Sequence, residues 1–115
     1  MQKKVISVTP AAASFATPYS SGDVIGAVNT VANAAKSNGL QVKLDTVIVL
    51  DKANQKAAID IVFFDEAPAN SIGADNAAYA LNDADLTKVI GRYSIAGADY
   101  VSSSTTNAEA SKGDI

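Results

Sequence analysis

Acidic side chains are the residues of this chain that could do chemistry, because it contains no His and no Cys. Five of them lie between residues 65 and 85: Asp65, Glu66, Asp75, Asp83 and Asp85. Asp83-x-Asp85 begins like a calcium-binding EF-hand loop, but Thr87 and Lys88 stand where that loop needs Asp or Asn and then Gly. We therefore favour helix capping and loop solvation, with a structural calcium ion shared with Asp75 as the alternative. A glycosidase-like pair needs a defined separation in a cleft, which a sequence does not show.

The sequence lacks the residues that other common catalytic and cofactor-binding motifs require. Without His or Cys the chain has no thiolate zinc site, no cysteine nucleophile and no Ser-His-Asp triad. Gly22 and Gly26, in SSGDVIG, match neither a P-loop nor a dinucleotide fingerprint, since no Gly-Lys-Ser/Thr follows. Turn and sheet geometry explains these glycines. We predict no catalytic residue, no metal, no cofactor and no enzymatic activity.

Charge and hydropathy exclude two classes of partner. The formal net charge is −3 and the isoelectric point is about 4.6, whereas nucleic-acid binding needs a clustered basic surface. No apolar run approaches the roughly 18 residues of a membrane span. The start, MQKKVISVTP, lacks the apolar core of a secretory signal. We therefore expect neither a nucleic-acid nor a membrane partner.

The stretch Leu40–Pro68 is the apolar centre of the chain. Two runs of strand length flank the polar connection DKANQK, which is the pattern of a β-hairpin. The first run alternates apolar and polar residues from Leu40 and becomes apolar on both faces at Val47–Leu50. The second run, Ile59–Phe64, is also apolar on both faces at its end. We predict a hairpin whose second face is covered by a second sheet, a loop or another subunit.

Two segments before this centre have strand composition. Lys3–Thr9 is a predicted first strand, which Pro10 ends because proline cannot donate to a sheet ladder. Val24–Val31 is ambiguous. Its valines fall at helical spacing with Asp23 as a possible N-cap, but its internal Gly26 and its β-branched residues favour a strand.

A loop and a short helix are predicted after the second run. Asp65–Ala80 is rich in Asn, Asp, Gly, Ala and Pro, which is typical of a long loop. Leu86, Val89 and Ile90 then form one apolar helical stripe, with Asn82 or Asp83 as N-cap, Lys88 near the C-terminal end and Gly91 after it.

The last third of the sequence returns to strand composition and then becomes polar. Arg92–Val101 is a predicted strand, with Gly97 as a possible bulge. Ser102–Ile115 has almost no large apolar residue, which indicates a loose arm or the start of a further element. These elements predict a mainly β fold, an antiparallel β-sandwich with one short helix around 83–90. We assign residues 1–101 to a single β-sandwich domain and residues 102–115 to a polar C-terminal arm or further element.

Aromatic side chains are the candidates for an interface. Phe63 and Phe64 are adjacent in a strand and therefore face opposite ways, so one belongs to the core and the other must be covered too. Tyrosines are either interface anchors or half-buried edge residues, and both interpretations stay open. The interface candidates are Tyr19, Phe63, Phe64, Tyr79, Tyr93 and Tyr100.

Several segments, in order, resemble a group of small virion structural proteins of tailed bacteriophages. The segments are TPYSSGDVIGA, the strand end IDIVFFDEAP, and DNAAYALNDADLTKVIGRYSI, and together they cover most of Thr17–Ile95. The positions that carry the resemblance are Tyr19, Gly22, Asp23, Val24 and Gly26; Phe64, Asp65 and Pro68; Asp75 to Ala78; and Asp83, Asp85, Leu86 and Gly91. This group resembles capsid decoration, or cement, proteins. The resemblance implies a β-sandwich of jelly-roll type without catalytic residues, and it decides Val24–Val31 in favour of a strand.

The resemblance and the surplus of apolar strand surface give one functional expectation. We expect a non-catalytic protein of the virion, made in the host cytoplasm, that binds the phage major capsid protein on the capsid surface and forms a homo-oligomer. The alternative is a ligand- or carbohydrate-binding β-sandwich module of a virion fibre or tail. That alternative needs exposed aromatic residues on a concave face, for which Tyr79, Tyr93 and Tyr100 are the candidates.

Overall fold

The computed structural model of this 115-residue chain describes residues 5–10, 18–32, 34 and 43–113. This part of the chain is mainly β and forms two antiparallel sheets. Its strands are β1 (Thr46–Asp51), β2 (Ile59–Phe64), β3 (Val89–Ile95), β4 (Tyr100–Ser104) and β5 (Asn107–Gly113). Two 3₁₀ helices, Asp83–Lys88 and Gly97–Asp99, lie between strands. No helix in the described residues is both long enough and apolar enough to span a membrane.

The larger sheet has three strands in the order β1-β5-β4, and both pairs are antiparallel. Side chains alternate between its faces, so that Val49 of β1, Ala110 of β5 and Tyr100 of β4 lie side by side on the inner face. Ile95, Tyr100, Ala108 and Ala110 form the buried core of this sheet, with Val49 packed against it. β5 contributes only small side chains to this core, and Ile95 and Tyr100 contribute most of its volume.

The smaller sheet pairs β2 with β3. Ser94 Oγ near the end of β3 donates to Asp60 Oδ1 near the start of β2, at 2.7 Å. Just beyond the other end of β2, the Asp65 N–H donates to the Lys88 carbonyl at 3.0 Å. These two contacts fix the antiparallel direction of the pair. On one face the Phe63 and Tyr93 rings meet edge to face, with centroids 6.1 Å apart.

The chain divides into two compact units, each made of two segments. One unit is Met1–Leu40 with Phe64–Ile90, and the other is Gln41–Phe63 with Gly91–Ile115. The second unit holds the three-stranded sheet and its core. The predicted domain boundary after residue 101 stays a prediction.

The first unit is held by loop-to-loop hydrogen bonds. The segment around Val24 lies against residues 76–79: the Val24 N–H donates to Ala77 and the Asn76 N–H donates back to Val24, both at 2.8 Å. Asp23 and Ala78 form an isolated antiparallel bridge. Gly73 has a φ of +114°, and a Cβ there would lie 2.6 Å from the Ala78 carbonyl oxygen, so this close approach requires glycine.

The predicted hairpin is wrong, although both of its strands exist. β1 pairs with β5, and β2 pairs with β3, so the two apolar runs lie in different sheets. The connection between them does not form a tight hairpin turn, because the Asp51 carboxylate accepts the N–H groups of Ala53, Gln55 and Lys56. The part of the predicted first strand at Leu40–Val42 lies outside the described residues, and residues 43–45 are not in a strand.

Neither predicted strand before residue 40 is present in the described residues. Residues 24–31 form no strand and no helix. Gly26 has a φ of +79°, which turns the chain where a strand would have to continue. Of Lys3–Thr9, the structure describes residues 5–9, which have no regular structure, and residues 3 and 4 lie outside the described part.

The predicted loop Asp65–Ala80 is confirmed, apart from the single bridge at Ala78, and so is a short helix, capped by the Asn82 side chain on the Ala84 N–H. The predicted apolar stripe of Leu86, Val89 and Ile90 on one helix face is not present. The helix is a 3₁₀ helix with three residues per turn, so a 3.6-residue period does not describe its faces. Leu86 is 60% exposed and Ile90 66% exposed, while Asp85 is buried.

The last third of the chain differs from its predicted elements. Gly91 is not a helix C-cap, because the helix ends at Lys88 and Gly91 lies within β3. The predicted strand Arg92–Val101 is divided between β3 and β4 by the 3₁₀ helix Gly97–Asp99, where a bulge was expected. The residues predicted as an arm or a further element form most of β4 and all of β5, the central strand of the larger sheet.

The core of the second unit gives a stability prediction. Ile95 is 1% exposed, so Ile95→Ala removes buried apolar atoms and leaves a cavity. We expect it to lower the free energy of unfolding by about 2–5 kcal/mol. Urea denaturation followed by circular dichroism measures this loss. The control is Ile90→Ala in the same strand, since Ile90 is 66% exposed and its change should stay within about 0.5 kcal/mol. Equal losses for the two variants would contradict the placement of the core.

Candidate functional site

The outer face of the three-stranded sheet exposes large apolar side chains. Burial alternates along β1, so that Val47 and Val49 turn inward while Ile48 and Leu50 turn outward. Ile48 is 61% exposed and Leu50 is 70% exposed. On β4, Tyr100 turns inward and Val101, the next residue, is 66% exposed. We call this surface the outer face, defined by Ile48, Leu50, Val101 and Glu109.

Strand register arranges these side chains around one carboxylate. Leu50 of β1 lies opposite Glu109 of β5, and Glu109 lies opposite Val101 of β4. Directly opposed Cβ atoms lie about 5 Å apart, so Leu50 and Val101 stand roughly 10 Å apart with Glu109 between them. Ile48 lies opposite Ser111 in the next outward row. The outer face therefore has a single acidic group in the middle of an apolar row.

An irregularity in β4 supports the Glu109 side chain. The register of β4 with β5 shifts between Val101 and Ser104, which is the position of a β-bulge or similar irregularity. Ser103 lies in this interval, and its Oγ donates to Glu109 Oε1 at 3.0 Å. Bulges commonly re-aim a side chain in this way. The hydrogen bond holds the carboxylate of Glu109 in place on the face.

An open cleft adjoins the outer face. It has a volume of about 220 Å³ and a mainly apolar surface. Its lining residues come from the end of β1, the start of β5 and the bulge: Leu50, Asp51, Lys52, Ser103, Asn107, Ala108 and Glu109. Asp51 and Lys52 cancel in charge at this margin, so Glu109 determines the sign of the local charge.

Two turns beside the cleft are tied to each other. Asn54 Nδ2 donates to the Thr105 carbonyl at 3.2 Å, and Ser102 Oγ donates to Asn54 Oδ1 at 3.0 Å. Burial of the Asp51 carboxylate opposes its charge, but hydrogen bonds from the Lys56, Ala53 and Gln55 N–H groups outweigh this and lower the pKa of Asp51. These bonds fix the ends of β1 and β4 and so position Leu50 and Val101.

The aromatic interface candidates lie in different surroundings. Phe63 and Tyr93 contact each other and are half-buried, as is Phe64. Tyr100 is 6% exposed in the core of the larger sheet. Because Tyr100 is buried, the three tyrosines that a carbohydrate platform would need do not share an exposed face.

The other two candidates belong to the first unit. Tyr19 is half-buried and donates its hydroxyl to Asp75 Oδ1 at 2.7 Å, and Tyr79 is half-buried beside Gly22 through a backbone hydrogen bond. The interface role of all six aromatic residues stays a prediction.

Sequence reasoning did not single out the residues of the outer face. One signal for this face is that Val47–Leu50 is apolar on both sides of the strand. Only one side can pack against the core of its own sheet, so the other side, with Ile48 and Leu50, needs a different cover. Val101 lies in the predicted strand Arg92–Val101, for which the sequence pattern does not indicate which face is buried. For Glu109, the signal was the alternation Ala108, Glu109, Ala110, which is the period of a strand with small buried residues.

Two of the five candidate carboxylates, Asp85 and Asp75, accept hydrogen bonds from other segments of the chain. Asp85 is 1% exposed and accepts the N–H groups of Ala69 at 2.9 Å and Asn70 at 3.0 Å. Lys88 Nζ lies 2.9 Å from Asp85 Oδ1 and 3.9 Å from Glu66 Oε1. The hydrogen bond from Lys88, then the N–H groups of Ala69 and Asn70, hold the pKa of Asp85 far below its ordinary value. The same pairing raises the pKa of Lys88.

Asp75, which the alternative calcium site would include, also accepts hydrogen bonds from distant segments. Its Oδ1 accepts the Tyr19 hydroxyl and the Gly26 N–H, each at 2.7 Å. Within the described ranges, no three acidic residues are grouped so that they could hold a metal ion. The aspartates of this unit thus join the segments around Tyr19 and Gly26 to the loop at residue 75, and the helix to the loop at residue 69.

The buried Asp85 gives a pH prediction. Asp85→Asn replaces one acceptor oxygen by an NH₂ group, which then faces either the Ala69 and Lys88 donors of Oδ1 or the Asn70 donors of Oδ2. The melting temperature at pH 7 should therefore fall clearly below wild type. The folded-state pKa of Asp85 is depressed, so its contribution is complete above the ordinary value of 3.8 and is lost as the pH falls further. Thermal melts from pH 7 to pH 2 should therefore show that the difference in melting temperature between wild type and Asp85→Asn becomes smaller below pH 3.8.

The matched control for this series is Asp83→Asn, in the same helix but exposed. It should melt close to wild type across the range. A difference between Asp85→Asn and wild type that stays constant down to pH 2 would show that the charge of Asp85 has no role in stability.

Comparison with known proteins finds no matching family model, and neither a curated protein nor a solved structure is significantly similar to this chain. The resemblance to small virion proteins of tailed bacteriophages therefore rests on the sequence segments alone. The structure does bring two of those segments together, since Gly22–Val24 pairs with residues 76–79 and Gly26 bonds to Asp75. Each of these two segments completes backbone hydrogen bonds of the other.

Proposed function

We propose that this chain is a non-catalytic structural protein of a phage virion, a capsid decoration or cement protein. It binds the lattice of the major capsid protein on the outer surface of the head and stabilises the shell. The observation that supports this most is the outer face, where Ile48, Leu50 and Val101 are each more than 60% exposed on a hydrogen-bonded sheet.

Exposure of these apolar side chains to water carries a free-energy cost. Burying a side chain such as Leu, Ile or Val contributes about 1.5–3 kcal/mol relative to leaving it in water. A sheet presents such side chains on a preorganised backbone, so little conformational entropy is lost when a partner covers them. A specific interface buries about 1,200–2,000 Å² in total, so the outer face serves as the centre of a larger contact. Repeated over a lattice, one such contact per subunit stabilises the whole shell.

We propose that the two sheets belong to a β-sandwich of jelly-roll type and that the protein assembles as a homo-oligomer at the capsid surface. The resemblance implies the sandwich, and the mainly β composition of the described residues is consistent with it. Symmetric oligomers suit a lattice because each copy can meet an equivalent site on the shell.

Binding to shells tests the proposal. Purified protein added to capsid shells that lack it should bind saturably and raise their melting temperature, measured by sedimentation and by scanning calorimetry. The double variant Ile48→Ser/Leu50→Ser removes apolar area from the outer face, so its affinity should fall at least about tenfold. The absence of saturable binding by the wild-type protein would end the proposal.

The control for this experiment is Ile90→Ser. Ile90 is 66% exposed, close to the exposure of Leu50, but it lies on β3 and not on the outer face. Its affinity for shells should stay within about twofold of wild type. A loss of binding for Ile90→Ser alone would place the contact on the two-stranded sheet instead.

A further inference from the structure

The outer face is not uniformly apolar, because Glu109 lies at its centre. Leu50 and Val101 flank this carboxylate from the two neighbouring strands, and Ser103 donates to its Oε1. Glu109 is exposed, so water completes its solvation when the face is free. Any partner that covers Leu50 and Val101 also removes that water.

A covered carboxylate needs a replacement for its water. Burying an ionised group without a hydrogen-bonding partner costs far more than burying the apolar neighbours contributes. A flat apolar partner surface would therefore bind this face poorly. A cationic side chain is the partner that compensates best, because charge-assisted hydrogen bonds are about twice as strong as neutral ones.

We propose that the outer face receives a Lys or Arg side chain of another protein, which extends between Leu50 and Val101 and pairs with Glu109. This inference rests on the proposed function, in which the occupant is the major capsid protein. The aliphatic stem of such a side chain packs on the two apolar neighbours while its charged head reaches the carboxylate. Glu109 projects from β5 between the flanking strands, so the stem lies over it and contacts Leu50 and Val101, which the register places roughly 10 Å apart.

A second copy of this chain is a poor occupant. A two-fold interface brings the same surface of each copy together, so Glu109 would approach its own equivalent. The outward positions of the three strands supply no cation. They are Thr46, Ile48 and Leu50 of β1, Val101, Ser103 and Ser104 of β4, and Asn107, Glu109, Ser111 and Gly113 of β5. Lys52 lies at the cleft margin beside Asp51, which offsets it. A two-fold homo-oligomer would therefore use a different surface.

Three variants at residue 109 test the inference in the shell-binding experiment. Glu109→Gln keeps the side-chain size and an acceptor for Ser103, so it should fold like wild type, and it should lower the affinity about tenfold. Glu109→Lys reverses the charge and should lower the affinity at least about a hundredfold. Glu109→Leu should also weaken binding. The carboxylate control is Glu66→Gln, whose side chain is 70% exposed outside the outer face, and it should bind like wild type.

The salt dependence gives a second readout. Raising NaCl from about 50 to 500 mM should weaken wild-type binding clearly more than it weakens Glu109→Gln, because the variant lacks the charge pair. Circular dichroism melts show whether each variant retains the fold.

The outcomes separate the inference from the proposed function. Wild-type binding that Glu109→Gln leaves unchanged overturns the cationic partner alone, and tighter binding by Glu109→Leu shows an apolar occupant instead. Self-association of the free protein that Glu109→Gln strengthens, seen by analytical ultracentrifugation, shows that a second copy covers the face. Failure of the wild-type protein to bind shells overturns the proposed function and this inference with it.

Discussion

The position of β5 between β1 and β4 is the constraint on which the larger sheet depends. Ala108 and Ala110 of this strand are turned into the core beside Tyr100, and alternation then forces Glu109 outward. The antiparallel register places Leu50 and Val101 on either side of it. A shift of one residue would bury the carboxylate and expose the alanines, so the core fixes the chemistry of the outer face.

Aspartates hold the loops of this chain where large apolar residues are scarce. Asp51 accepts three backbone N–H groups of the turn after β1. Asp75 and Asp85 each join segments far apart in sequence, through Tyr19 and Gly26 in one case and through Ala69 and Asn70 in the other. Such carboxylates resemble candidates for metal or acid–base chemistry in a sequence. Here they satisfy backbone donors that loops would otherwise leave without partners.

Local patterns of the sequence predicted the type of several elements but not their partners. The apolar runs around residues 47–50 and 59–64 are strands, and the cap at Asn82 is as expected, because these features depend on neighbouring residues. The hairpin failed because strand pairing is a long-range choice, decided here by the side-chain bonds of Asp51 and by β5. β5 itself, NAEASKG, has little strand propensity, and its place in the sheet comes from tertiary packing.

The sequence could not predict which apolar side chains of the candidate site are exposed to water. Ile48 and Val49 are neighbours of similar apolar character, yet only Val49 packs against the core. Which of them faces water depends on the register with β5, and the position of Glu109 beside Leu50 depends on the same register. The signal of alternating small residues at 108–110 is visible only when that segment is considered as a strand.

The central claim is that the outer face of the β1-β5-β4 sheet is the surface that docks on the phage capsid. A cryo-electron microscopy reconstruction of shells decorated with the protein measures this directly, at a resolution that traces the strands. The account predicts that Ile48, Leu50 and Val101 contact the major capsid protein and that a basic side chain of that protein lies against Glu109. A reconstruction in which this face points into solvent, with the two-stranded sheet or the first unit on the shell, would contradict it.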